Sequence, residues 1–121
     1  MTLVEIHSRL ATTMILMAFV AGGWGLARYA LKRGIDGTYW GILAVSEVLI
    51  LVQSALGIVL WFQGARPGRT IHLLYGVVAV ILLPALYAYL QGRDDRRAAM
   101  LFGFLCLFLA GIGFRALGTG Q

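Results

Sequence analysis

An all-α integral membrane protein, an antiparallel bundle of four transmembrane helices, is the fold class this sequence predicts, and two observations predict it. Hydrophobic residues make up 60% of the chain and charged residues 12%, which is more apolar surface than a water-soluble domain of this size can bury. The apolar residues also fall into four blocks, roughly 10–31, 39–62, 71–90 and 98–117, each close to the ~20 residues a helix needs to cross a bilayer. The blocks are apolar on all sides, as membrane spans are. The 121 residues therefore form a single four-span domain, and any chemistry must lie within the bundle or at its rims.

The first span is read as retained, not as a cleaved signal, because Glu5 precedes the first arginine and no strongly basic leader stands before it. It carries Gly22, Gly23 and Gly25. "KRGIDGT" leads to the second span, which holds Glu47 and Gln53 in an otherwise apolar run beside Gly41 and Gly57. "QGARPGRT" leads to the third, where His72 stands at the entrance, Gly76 follows one turn later, and Pro84 is expected to kink the helix by removing a backbone donor. "QGRDDRR" leads to the fourth, with Gly103, Gly111, Gly113 and the lone Cys106. One cysteine makes neither a disulfide nor a cysteine metal site, and core filling is its expected role. The small residues let helices, or a flat ligand, approach closely. Tyr39, Trp40 and Trp61 lie near span ends, where interface anchors are common.

The formal charge is +5, yet the basic residues flank spans and form no patch, so the expected partner is the lipid bilayer and not nucleic acid. Arg28, Lys32, Arg33, Arg93, Arg96 and Arg97 fall on one face; Arg9, Arg66, Arg69 and Arg115 fall on the other. By the positive-inside rule the first face is cytoplasmic, which leaves both termini outside a bacterial-type inner or plasma membrane.

The two histidines, His7 and His72, both stand at span beginnings. Odd-numbered spans of an antiparallel bundle run in one direction, so the two imidazoles reach the same membrane face at similar depth. That is a geometry for one ligand held between the first and third helices, and imidazole is a common axial ligand of haem iron. Ala11 and Gly76, four residues after each histidine on the same helix face, are small enough to leave room for a porphyrin edge. Arg9, Arg66 and Arg69 are expected at that face, where guanidinium groups meet carboxylates bidentately; contact with lipid phosphate is their simpler role. For the histidines the simpler role is hydrogen bonding to headgroups or loops. Glu47 is costly in a span and should face the bundle interior, hydrogen-bonded to a hydroxyl, handling protons, or serving a second ligand.

With these residues placed, the chain resembles half of a haem A synthase. His7 in "EIHSRL", Gln53 and Gly57 in "LVQSALG", and His72 in "TIHLLYG" match that family's order of histidine, Gln-x-x-x-Gly and second histidine over residues 5 to 85. The resemblance implies bis-histidine haem ligation on the outer side. The chain departs from the family where Glu5 stands only two positions before His7 and Ser8 separates His7 from Arg9, and a single half supplies one haem-binding bundle of two. The expected function is accordingly that of a small cytochrome b-like subunit with one b-type haem, transferring electrons within a larger respiratory or photosynthetic complex or a homo-oligomer, with His7, His72, Gly76, Arg9, Arg66, Arg69 and Gln53 around the cofactor. No catalytic residues are identified, and a synthase reaction is not expected. Two alternatives stay open: a haem-free accessory subunit of an energy-converting membrane complex, and a small transporter using Glu47.

Overall fold

The structure, a computed structural model, describes residues 2–120. It is all-helical: α1 runs Leu3–Ala30, α2 Gly37–Phe62, α3 Ile71–Leu90 and α4 Arg96–Gly120. All four are long and apolar enough to cross a membrane.

The apolar blocks locate these helices, but α1 starts at Leu3 and not near residue 10. The cause is an N-cap: the Thr2 hydroxyl accepts the Glu5 backbone N–H at 3.2 Å, and Glu5 sits at the favourable positive end of the helix. Hydropathy falls off before the helix does, so the polar stretch holding His7 is already helical. Asp36 and Asp95 start α2 and α4 in the same way, accepting the N–H groups of Tyr39 and Ala98 at 2.9 Å each. α3 ends in left-handed geometry at Gln91 and Gly92, where the Gly92 N–H turns back to the Tyr87 carbonyl. Pro84 lies inside α3 on its exposed side, and the helix continues through it to Leu90.

Each helix packs against two neighbours in the ring order α1, α2, α3, α4, with α1 and α4 adjacent; α1 and α3 face each other across the diagonal. The α1–α4 seam is the most intimate. Small residues make it so: Gly22, Gly25, Gly103, Ala98, Ala99 and Ala110 are all buried, and a Cβ added at Gly25 would stand 2.7 Å from the Ala99 carbonyl oxygen and 2.8 Å from the Gly103 Cα. Backbones that close pack without side chains between them. Tyr39 is not an interface anchor. It is fully buried at 0% exposure, and its hydroxyl donates to the Ala21 carbonyl of α1 at 2.8 Å, which satisfies a polar group in an apolar core. Trp40 also turns inward, edge to face with Tyr87 of α3 and Phe102 of α4 at 5.6 Å each.

The outward faces carry Leu16, Phe19, Val48, Leu51, Val77, Ile81, Phe104 and Phe108, all exposed. A belt of this kind is tolerated where lipid tails cover it. At one end of the bundle the α1–α2 and α3–α4 loops are stitched together. The Ile35 N–H bonds the Asp94 carbonyl at 2.7 Å, Arg28 pairs with Asp36 at 3.1 Å and donates to the Gly34 carbonyl at 2.7 Å, and Arg96 donates to the Tyr29 carbonyl at 2.7 Å while stacking over the Tyr29 ring. The starts of α1 and α3 and the ends of α2 and α4 meet at the opposite end, where both histidines are.

Candidate functional site

His7 lies in the second turn of α1 and His72 is the second residue of α3. Both are half-buried. The two rings face each other across the diagonal, centroids 6.3 Å apart and planes crossed at 71°. Each is seated by a helix that neither belongs to.

His72 leans on the end of α4. Its Nδ1 lies 2.9 Å from the Ala116 carbonyl oxygen and 3.4 Å from the Thr119 hydroxyl. A carbonyl only accepts, so Nδ1 carries a proton, and it is the Nε2 side of the ring that is left to offer a lone pair. Thr119 is buried, donates its own hydroxyl to the Arg115 carbonyl at 3.0 Å, and accepts the Arg69 N–H on its main-chain oxygen at 2.9 Å. Gly120 closes the cradle. A Cβ there would stand 2.8 Å from Cε1 and 3.0 Å from Nδ1 of His72, so a side chain at 120 displaces the ring.

His7 is seated by α2. The Gln53 amide donates to the His7 main-chain oxygen at 2.6 Å, and Gly57, one turn on, leaves its Cα bare toward the imidazole, where an added Cβ would meet Cε1 at 3.4 Å. His7 Nδ1 and Gln53 Oε1 are both buried with no partner among the described residues.

Two imidazoles that share one metal ion, each through a nitrogen about 2 Å from it, have ring centres roughly 6 Å apart. The observed 6.3 Å fits that demand. Among the described residues no group of three or more His, Cys, Asp or Glu side chains could hold a metal, so the three or four protein ligands of a zinc site are not assembled here. A metal that brings its own equatorial ligands needs only two axial donors from the protein, and that is the requirement of haem iron. Room beside His72 is available as well, because a Cβ at Gly76 would meet nothing within 4 Å.

The chain matches no family model, no curated protein and no solved structure.

The other expected site residues divide. Gln53 joins the histidines. Arg66 does not reach them: its guanidinium stacks 3.7 Å above the Trp61 ring and donates to the Trp61 and Ala65 carbonyls, capping the end of α2. Arg9 and Arg69 are exposed at the histidine end, with no side-chain partner among the described residues. Glu47 stands apart, six residues before Gln53 and hence about 9 Å along α2. Its Oε1 is buried without a partner among the described residues, and the neighbouring Ser46 hydroxyl bonds its own helix at Ile42, so the expected bond to a hydroxyl is not made. Sequence reading missed Ala116, Thr119 and Gly120. The resemblance stops near residue 85, and a threonine between two glycines at a helix end carries no signal of what it will touch.

Proposed function

We propose that this chain is a small membrane subunit that holds one haem, of b type, between His7 and His72 and carries electrons within a larger energy-converting membrane assembly. The observation that supports it is the pair of crossed imidazoles, 6.3 Å apart, each on a different helix and seated by a third and a fourth. Bound there, a haem supplies a one-electron couple at its iron, with a potential set by axial ligands and surroundings.

The chain's own residues do the rest. The Ala116 carbonyl orients His72 and presents its Nε2 lone pair. Gly57 and Gly76 keep ring volume free beside the two imidazoles. The apolar bundle excludes water and lowers the local dielectric, which favours the less charged oxidation state of a buried redox centre. Arg9 and Arg69 supply exposed guanidinium groups at the same rim, suited to carboxylates that emerge there. On the positive-inside rule the end with Arg28, Lys32, Arg33, Arg93, Arg96 and Arg97 is cytoplasmic, so the histidine end faces outward.

A pyridine haemochrome spectrum of the purified chain tests the reading, together with the visible spectra of His7→Ala and His72→Ala. Stoichiometric haem with a six-coordinate low-spin spectrum is expected in the parent, and its loss in both variants while the protein still inserts. A chain without haem, or low-spin spectra intact in both variants, overturns it and leaves the haem-free accessory role.

A further inference from the structure

The two histidines differ in one respect that bears on ligation. His72 has its Nδ1 proton committed to the Ala116 carbonyl, whereas His7 Nδ1 is buried and makes no hydrogen bond among the described residues. An imidazole whose Nδ1 has no acceptor is free to carry its proton on either nitrogen, and half of those states put the proton where a metal must bind. A bis-histidine site therefore needs a second acceptor, and one candidate stands beside His7.

Gln53 is held by its nitrogen. Its Nε2 donates to the His7 main-chain oxygen at 2.6 Å; with the amide flipped, two oxygens would face each other, so the assignment of nitrogen and oxygen is forced by the partner. The amide oxygen is then the other arm of the same fork. It is buried and unpartnered among the described residues, as is the His7 Nδ1, and the Gln53 side chain already bonds the His7 main chain. One is an acceptor and the other a potential donor, each of which is unfavourable to leave dry. The torsion that would turn Nδ1 toward the amide oxygen while the Nε2 bond is kept, χ2 of His7, is a terminal sp³–sp² torsion with a broad minimum. No other polar side chain bonds to His7 among the described residues; α2 also brings the Gln53 main chain near the imidazole, and the bare Gly57 stands by its Cε1 edge.

We infer that Gln53 is the positioning residue of His7: its amide oxygen accepts the Nδ1–H while its nitrogen holds the main-chain carbonyl, so that His7 turns an unprotonated Nε2 toward His72 and the two rings present matching lone pairs. The purpose of this bond rests on the haem-holding reading, but the bond itself belongs to the chain alone. It makes the site pseudo-symmetric in function though not in construction. An α4 carbonyl orients one ligand, and an α2 side chain orients the other.

The test uses the full chain in lipid nanodiscs, with ¹⁵N-labelled histidine, and reads which ring nitrogen carries the proton in the haem-free protein. His7 is expected in the Nδ1–H form in the parent chain and is expected to lose it in Gln53→Met, which keeps length without an acceptor. His72 is the internal standard for folding, since Ala116 holds its tautomer in both proteins. An unchanged His7 tautomer in Gln53→Met, with the His72 signal intact, overturns the assignment. Haem-to-protein ratio is measured alongside. A chain that takes no haem yet shows the expected tautomers overturns the haem reading and leaves the role of Gln53 standing; full haem loading with no effect of Gln53→Met on the tautomer does the reverse.

Discussion

The two ends of this bundle are built on different principles. At the Arg28 end α1 and α4 meet backbone to backbone through glycine and alanine, Tyr39 bridges inward to α1, and the flanking loops are tied by main-chain and arginine hydrogen bonds. At the histidine end two imidazoles meet across the diagonal, and three half-buried polar side chains, His7, His72 and Gln53, stand together with the main chain of α4. One end spends its polar atoms on closing the fold, and Glu47 Oε1, nearer the middle of α2, is left without a partner among the described residues. The other leaves two of them, His7 Nδ1 and Gln53 Oε1, without partners among the described residues. Buried polar groups in lipid are retained for function far more often than for stability, so the contrast separates a scaffold from a site within one small chain.

That separation can be broken at the scaffold end. Gly25→Leu drives a side chain into the Ala99 carbonyl and the Gly103 Cα, neither of which can move without parting the helices. A loss of about 3 kcal/mol is expected, seen as a large drop in thermal midpoint in detergent. A variant as stable as the parent would show that the seam is not the core of the fold.

Gly120→Val probes the other end. Its Cβ meets a ring and not a backbone, so His72 swings away and surrenders its bond to Ala116, at about 1 kcal/mol, with haem loading reduced in proportion to the displaced ring. Loading unchanged in this variant would mean that the α4 cradle is incidental. Tyr39→Phe should fall slightly below it in effect, ~0.6 kcal/mol for one interhelical hydrogen bond inside a membrane, and should leave any haem spectrum untouched because the hydroxyl serves only the scaffold.

Gly76→Leu is the sharpest comparison with the smallest effect on folding. The position opens on empty space, so the haem-free chain should keep its melting temperature, yet the added side chain occupies the volume beside His72. Haem-to-protein ratio should fall several-fold, while Val78→Leu, about half a turn away, leaves it unchanged. Equal ratios in the two would detach Gly76 from the site.

How much of this was legible in the sequence follows from what hydropathy measures. It reports depth along a membrane normal, and it placed four helices and put His7 and His72 at a common level. It says nothing of azimuth. That α1 and α3 lie on a diagonal, so that their histidines meet only across the bundle centre, depends on the α1–α4 seam, and glycines occur in every span, so composition did not single out Gly22, Gly25 and Gly103 as the ones that pack. Tyr39 looked like an anchor because it is aromatic and near a span end; its burial is decided by the void those glycines leave. Arg66 was expected near the histidines by its level alone, but the Trp61 ring and the carbonyls of Trp61 and Ala65 lie closer to it along the chain.

The helix that packs most closely on α1 is α4, and between their syntheses the ribosome makes α2 and α3. Until α4 emerges, the glycine face of α1 has only Tyr39 of α2 against it, and His72 lacks both Ala116 and Thr119. A nascent chain with three helices inserted thus has neither its tightest contact nor an oriented second imidazole, and long-range contacts of this kind form late. Loading of any ligand between the histidines is thereby deferred to after translation of α4, and a chain stalled before that point exposes a small-residue face to the quality-control machinery of the membrane.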